Sequence, residues 1–181
     1  MKNLTRAALA LAVCFAVAGS GLLLAGHAWA QAPAKASQEP AKPKPQYKAS
    51  SILIEPVDPG DVPMPATFQV AIYEYLIDQV TKTKKFQHVY RSGDKAAAGA
   101  SDLITLRTRA EKFKMGSEKK REVTTVAGAT KIKLKLLITD HDGKVLADPD
   151  VEGAVHFMGG NLNATYDFAK HVADIIRDLF I

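Results

Sequence analysis

Apolar residues recur with two different periods after position 48, and the switch between the periods predicts the elements. Ser51-Ile-Leu-Ile-Glu55 is a short apolar run stopped by Pro56, which reads as a brief strand. A proline-rich turn, Asp58 to Pro65, follows, and Pro65 pre-sets the first turn of a helix over 67–82. Phe68, Ile72, Tyr75, Leu76 and Val80 make its buried stripe. Phe86-Gln-His-Val-Tyr90 is a second strand, and the Ser92 to Ala100 stretch reads as a mobile loop or frayed turn. The period then becomes two. Residues 102–113 alternate Ile104, Leu106 and Ala110 inward with Thr105, Arg107, Arg109 and Glu111 outward. Lys114 to Lys120 is a charged hairpin loop, and a long strand over 122–139 points Ile132, Leu134, Leu136 and Ile138 inward, with Gly128 marking a bulge or bend. Asp142-Gly143 turns the chain into a strand over 144–158, with Val151, Val155 and Phe157 inward. The last helix, 164–180, has Asn163 as its N-cap and Phe168, Val172, Ile176 and Leu179 as its stripe.

The predicted order is strand, helix, four strands, helix. One arrangement buries every stripe at once: an α+β two-layer sandwich, with a mainly antiparallel five-stranded sheet and both helices on one face.

Residues 1–30 change the picture by assigning a compartment. Lys2 and Arg6 precede an apolar run from Ala7 to Ala25, and Ala28-Trp-Ala30 is the small-x-small pattern of a signal peptidase site, so cleavage is expected after Ala30. Gly19, Ser20, Gly21 and Gly26 break the run and His27 closes it, which argues against a spanning anchor. No transmembrane segment is expected after cleavage. Leu11-Ala-Val-Cys14 approaches a lipobox, but Val13 stands where a small residue is required, so lipid anchoring at Cys14 is not expected. The location is periplasmic or secreted. Residues 31–48, rich in Pro, Ala and Lys, read as a flexible tether, and 49–181 as a single α/β globular domain.

Charge excludes one class of partner. Of the 24 basic and 19 acidic residues, six basic and one acidic lie within 1–48, so the globular part carries 18 of each. A neutral domain sent out of the cytoplasm is not a nucleic-acid binder. Cys14 is the sole cysteine and lies in the leader, so thiol chemistry is absent after cleavage.

Candidate chemistry is sparse. Lys131, Lys133 and Lys135 form an outward row, but closing the hairpin at 140–143 sets them opposite Glu152, Asp150 and Asp148, and a slip of two residues still pairs lysine with acid. Arg107 and Arg109 have no such neighbours. A hairpin centred near Glu118 sets Ala129 and Ala127 opposite them, which makes the two arginines the candidate binding residues for a phosphate, a carboxylate or an acidic partner. His88, His141, His156 and His171 lack ligand spacing, so no metal and no cofactor is expected. His171 shares the exposed helix face with Asp174, and Gly159-Gly160 turns the chain into the last helix and could admit an anion to its N-terminus.

The lone strand ending at Pro56, the strand opening Ser101-Asp-Leu-Ile104 and Leu136-Leu-Ile-Thr-Asp-His-Asp-Gly-Lys-Val-Leu146 resemble a family of bacterial envelope proteins. That family is similar to the periplasmic domain shared by CsgG, LpoB and the TolB N-terminal domain. The resemblance spans about residues 50 to 180 and implies a non-enzymatic binding or assembly domain. The expected function is therefore an exported accessory protein, not an enzyme, that binds another envelope protein or an envelope polymer. Homo-oligomerisation by edge pairing of residues 52–55 or 86–90 is a further possibility. The alternative is a small secreted hydrolase or carbohydrate-active enzyme using Asp148 and Asp150.

Overall fold

In the computed structural model, parallel and antiparallel pairings meet in one sheet because its first two strands are joined by a helix and its later strands by hairpins. The structure describes residues 47–124, 127–156 and 159–181; the expected leader, the tether up to residue 46, and Phe157 lie outside the described residues. Strand β1 (Ser51–Ile54) leads into helix α1 (Ala66–Thr83), which returns the chain to β2 (His88–Arg91). A helical crossover brings the second strand back parallel to the first, and Ile52 sits beside Val89. A 3-10 helix at Lys95–Gly99, started by Asp94 accepting from the Ala96 amide, stands where a mobile loop or frayed turn is expected. Strand β3 (Leu103–Lys114) then joins the other side of β1, again parallel. Strands β4 (Thr130–Thr139), β5 (Val145–Ala147) and β6 (Asp150–Val155) complete the sheet antiparallel, in the order β2-β1-β3-β4-β5 with β6 also on β4.

The two-layer α+β architecture is the expected one, but the sheet has six strands and is mixed. Ile52 and Ile54 on β1, Ile104 and Leu106 on β3, and Ile132 through Ile138 at alternate positions on β4 face one way. They close against Phe68, Ile72, Leu76 and Val80 of α1 and against Phe168, Val172 and Ile176 of α3 (Asn163–Leu179). Each such side chain, taken fully from water, contributes about 1.5–3 kcal/mol. Tyr75 departs from the expected stripe: it lies on the outer side of α1, edge-on to Tyr166 of α3 at 5.4 Å.

Three local differences have physical causes. The segment expected to begin a strand at Glu122 instead holds α2 (Glu118–Val123), because Ser117 caps a run of strong helix formers by accepting from the Lys120 amide. Arg121, buried on this helix, donates to the Gly128 carbonyl and to the Gly159 carbonyl, both at 2.7 Å. The strand over 144–158 is split into β5 and β6 at Asp148-Pro149, and the Leu136 amide donates to the Pro149 carbonyl across the break. Asn163 is the first helical residue of α3 rather than its cap; Leu162 holds the cap position without a side-chain bond. Tyr47 pairs with the chain end, its amide donating to the Leu179 carbonyl and its carbonyl accepting from the Ile181 amide.

Candidate functional site

The face of the sheet turned away from α1 and α3 carries the outward residues of β1, β3, β4 and β6, and it collects nearly all the charged side chains singled out above. The period of two that buries Leu106 and Leu136 necessarily exposes Arg107, Arg109, Lys133 and Lys135 on this open face.

Arg107 and Arg109 are adjacent outward residues of β3, as expected, but their surroundings differ from the expectation. Across the hairpin they meet Leu137 and Lys135, not alanines, because the inserted α2 moves the hairpin centre along the chain. Their carboxylates come from the other side, where β1 runs parallel. Arg107 forms a two-pronged contact with Glu55, Nε and Nη2 each 2.9 Å from an oxygen, and this raises the guanidinium further above its ordinary value. Asp58 lies beside Arg109, with Oδ2 3.6 Å from Nε. Asp58 is held by a local turn in which Oδ1 accepts from the Gly60 amide, and Gly60 takes the left-handed φ of +50° that lets the chain double back. No carboxylate faces either arginine across the hairpin, as expected; the acids they meet, Glu55 and Asp58, lie on the β1 side. Half of each guanidinium side chain remains open to solvent, at 51 % and 66 % relative exposure. With Pro56 and Leu137 they line a depression of about 420 Å³.

The lysine row of β4 pairs with acids in the register slipped by two: Lys135 lies opposite Asp150 and Lys133 opposite Glu152. The slip has two sources. Residues 140–144 form the connection, one residue longer than the expected turn, because Asp140 Oδ1 accepts from the amides of both Asp142 and Lys144. A bulge between Ile138 and Thr139 adds the second residue. Lys133 Nζ lies 2.6 Å from Asp150 and 2.9 Å from Glu111, and Lys135 Nζ lies 3.1 Å from Asp148. The hydrogen bond from Lys133, with Lys135 adding to it, holds the Asp150 carboxyl below its ordinary value. Lys131 does not share this pairing; its neighbour on β6 is Ala154 and its neighbour on β3 is Lys114. Here a second trough of about 560 Å³ opens, lined by Val62, Pro63, Lys112, Lys114, Lys131 and Glu152 among others.

The remaining candidates serve structure. His171 Nδ1 lies 2.7 Å from the Glu152 carbonyl, and the Asp167 carboxylate accepts from the Ala154 amide, so α3 covers the outer backbone edge of β6. Asp174 pairs with Arg177 instead of His171. Near the Gly159-Gly160 turn, Glu118 already supplies a carboxylate, accepting from the Asn161 amide. His141 lies 3.2 Å from its exposed neighbour Asp142. Among the described residues, no group of three or more His, Cys, Asp or Glu side chains could hold a metal ion, and no helix is long and apolar enough to cross a membrane. Glu55 and Asp58 escaped the sequence reading because no turn links β1 to β3. Lys112 and Lys114 escaped it although the alternation Lys-Phe-Lys at 112–114 is a visible signal.

No protein-family model and no curated protein matches the sequence. Solved structures do resemble the chain. The PelC dodecamer from Paraburkholderia phytofirmans superposes with a TM-score of 0.54 at 8 % identity, covering 77 % of this chain and 95 % of that one. A single-substitution variant of that PelC gives 0.53 at 10 % identity, covering 76 % and 93 %. At such identities the likeness is one of fold: this chain has the α+β fold of the PelC protomer.

Proposed function

We propose that the chain is an exported, non-enzymatic accessory protein of the bacterial envelope, and that it binds another protein or an envelope polymer through the open face of its sheet and the adjoining loops. The observation that carries this reading is the open face itself. It is a broad, exposed surface with two shallow troughs and ordered charges, which suits recognition more than bond-making. Asp148 and Asp150, the carboxylates an enzyme would need, are each engaged by lysine, and Asp150 stays ionised well below neutral pH. That state suits neither a general acid nor a nucleophile freed from its neighbours. The leader expected in residues 1–30 supports the same location.

Pull-down of an envelope fraction on the tagged chain, with crosslinking, tests the reading. Recovery of a specific partner is expected, and replacing both Arg107 and Arg109 with alanine should weaken that recovery with little change in thermal midpoint. Failure to recover any partner or polymer under several crosslinking chemistries would sink it. The location is checked separately, by sequencing the N-terminus of the protein from its host: Gln31 is expected, and a cytosolic chain retaining Met1 removes the envelope reading.

Self-association is a second reading, favoured by a specific asymmetry of the edges. Residues 52–54 lie inside the sheet, so they offer no edge, and β6 is covered by Asp167 and His171. Among the described residues, strand β2 borders no further strand, and the His88 and Tyr90 rings stack along it at 5.8 Å. The PelC structures are dodecamers. Light scattering at micromolar concentration decides this point, and a monomer mass excludes pairing through β2.

A further inference from the structure

One end of the open face breaks the charge pairing kept everywhere else on it. Lys112 lies directly opposite Lys133, and Lys114 directly opposite Lys131. Like charges on facing cross-strand positions destabilise a sheet. Lys133 is relieved by Glu111 and Asp150. Lys112, Lys114 and Lys131 are exposed and make no ion pair among the described residues. Three unneutralised ammonium groups therefore share one patch of a few residues, at the margin of the 560 Å³ trough, where the fold gains nothing from them.

We propose that this trough binds a carboxylate-bearing polysaccharide chain, with Lys112, Lys114 and Lys131 meeting its carboxylates. The inference rests on reading the open face as a binding surface and names the class of ligand. Lys112, Lys114 and Lys131 outnumber Asp61 and Glu152, the acids of the lining that make no ion pair among the described residues, so the excess charge selects an anion, and the sheet geometry selects a polymer. Neighbouring lysines stand about 5 Å apart across the strands and about 7 Å apart along β3, so they match charges distributed along a chain more than a single compact ion. The rest of the lining chooses between classes of polymer. At Lys131 the β4 backbone is taken up on both sides by the β3 and β6 ladders, so an acidic peptide would find no strand to extend there. A sugar chain needs none. Its hydroxyl groups can donate to the carboxylates of Asp61 and Glu152 on the rim, and its apolar ring faces can lie on Val62, Pro63 and the methylene stems of the lysines.

Titration calorimetry of the full chain with polygalacturonate, its methyl ester and polyglutamate tests this. Polygalacturonate is expected to bind, more weakly as salt is raised, while the neutral methyl ester does not. Replacing Lys112, Lys114 and Lys131 together with alanine should weaken binding by at least about tenfold, since each contact is worth a fraction of a kcal/mol. The same variant should keep or raise the thermal midpoint, because it removes repulsion. Should the triple variant misfold, the single change Lys131→Gln gives the same readings at smaller size. No binding of polygalacturonate by the parent, equal binding by the variants, or equal binding of the methyl ester overturns the proposal. Polyglutamate binding as tightly as polygalacturonate overturns the sugar assignment in favour of an acidic polypeptide. If polygalacturonate fails while the envelope pull-down recovers a protein, the glycan site falls and the accessory function stands.

Discussion

At the scale of single residues, the molecule separates groups that hold the fold from groups that the fold merely displays. Thr108 is an inward residue of β3, 2 % exposed, and its hydroxyl finds no hydrogen-bond partner among the described residues. A buried hydroxyl without a partner keeps its full desolvation cost. Thr108→Val removes the cost while keeping the branched shape that strands favour, so chemical denaturation should show a gain of about 1 kcal/mol. A loss would mean that the hydroxyl is satisfied in solution. Asp150 behaves in the opposite sense. The hydrogen bond from Lys133, reinforced by Lys135, depresses its carboxyl below the ordinary 3.8. A depressed acid lends stability that is fully present above the ordinary value and is lost as pH falls through the lower folded value. The thermal midpoint measured from about pH 6 to about pH 2 should therefore fall less in Asp150→Asn than in the parent. Parallel acid limbs would show that the contact is too solvated to matter, as exposed ion pairs often are.

Elements are positioned by close contacts as much as by their apolar stripes. Helix α3 lies directly on β6 because Gly153 has no side chain: a Cβ there would sit against the Ala164 carbonyl and 2.6 Å from Phe168 Cβ. Both are fixed by the core, so neither can yield. Gly153→Ala should cost more than about 2 kcal/mol in denaturation and should also loosen the Asp167 and His171 contacts along the edge of β6. Retention of parental stability would show that α3 can shift without loss. Such packing is also where sequence reading stops. Local signals carried far: the Pro56 stop, the helical stripes of α1 and α3, and the alternation in β3 and β4 each depend only on neighbours in the chain. The six-residue α2 has no room for a stripe, so nothing in the pattern separates it from the two-residue period of β4. The Glu55–Arg107 contact joins residues 52 positions apart through a parallel pairing, and no turn sets the register of such a pair. The lysine register on β4 was recoverable because a slip of two leaves every side chain on its own face. Even there, the loop set by Asp140 and the bulge beyond it decided which acid met which lysine.

For the molecule as a whole, the end of the chain is tied to the segment that precedes β1. Tyr47 is bonded on both sides, to the Leu179 carbonyl and the Ile181 amide, and its ring meets Phe180 at 5.9 Å. Phe180 is buried and in turn meets Phe86 at 5.2 Å, edge-on. Tyr47 and Phe180 thus close over the same corner of the core, beside the segment that leads into β2. Two hydrogen bonds and an aromatic contact are worth about 1–2 kcal/mol together once solvent exchange is counted. Two shortened chains separate this closure from any contribution of the residues before it. A chain starting at Tyr47 should melt at the same temperature as one starting at Gln31, whereas a chain starting at Ala49 should melt about 4 °C lower. If the chain from Tyr47 is already destabilised, residues 31–46 take part in the fold and are not a tether. If the chain from Ala49 is as stable as the others, the Tyr47 closure contributes nothing and the unit begins at residue 49, where the change in hydrophobic pattern alone would put it.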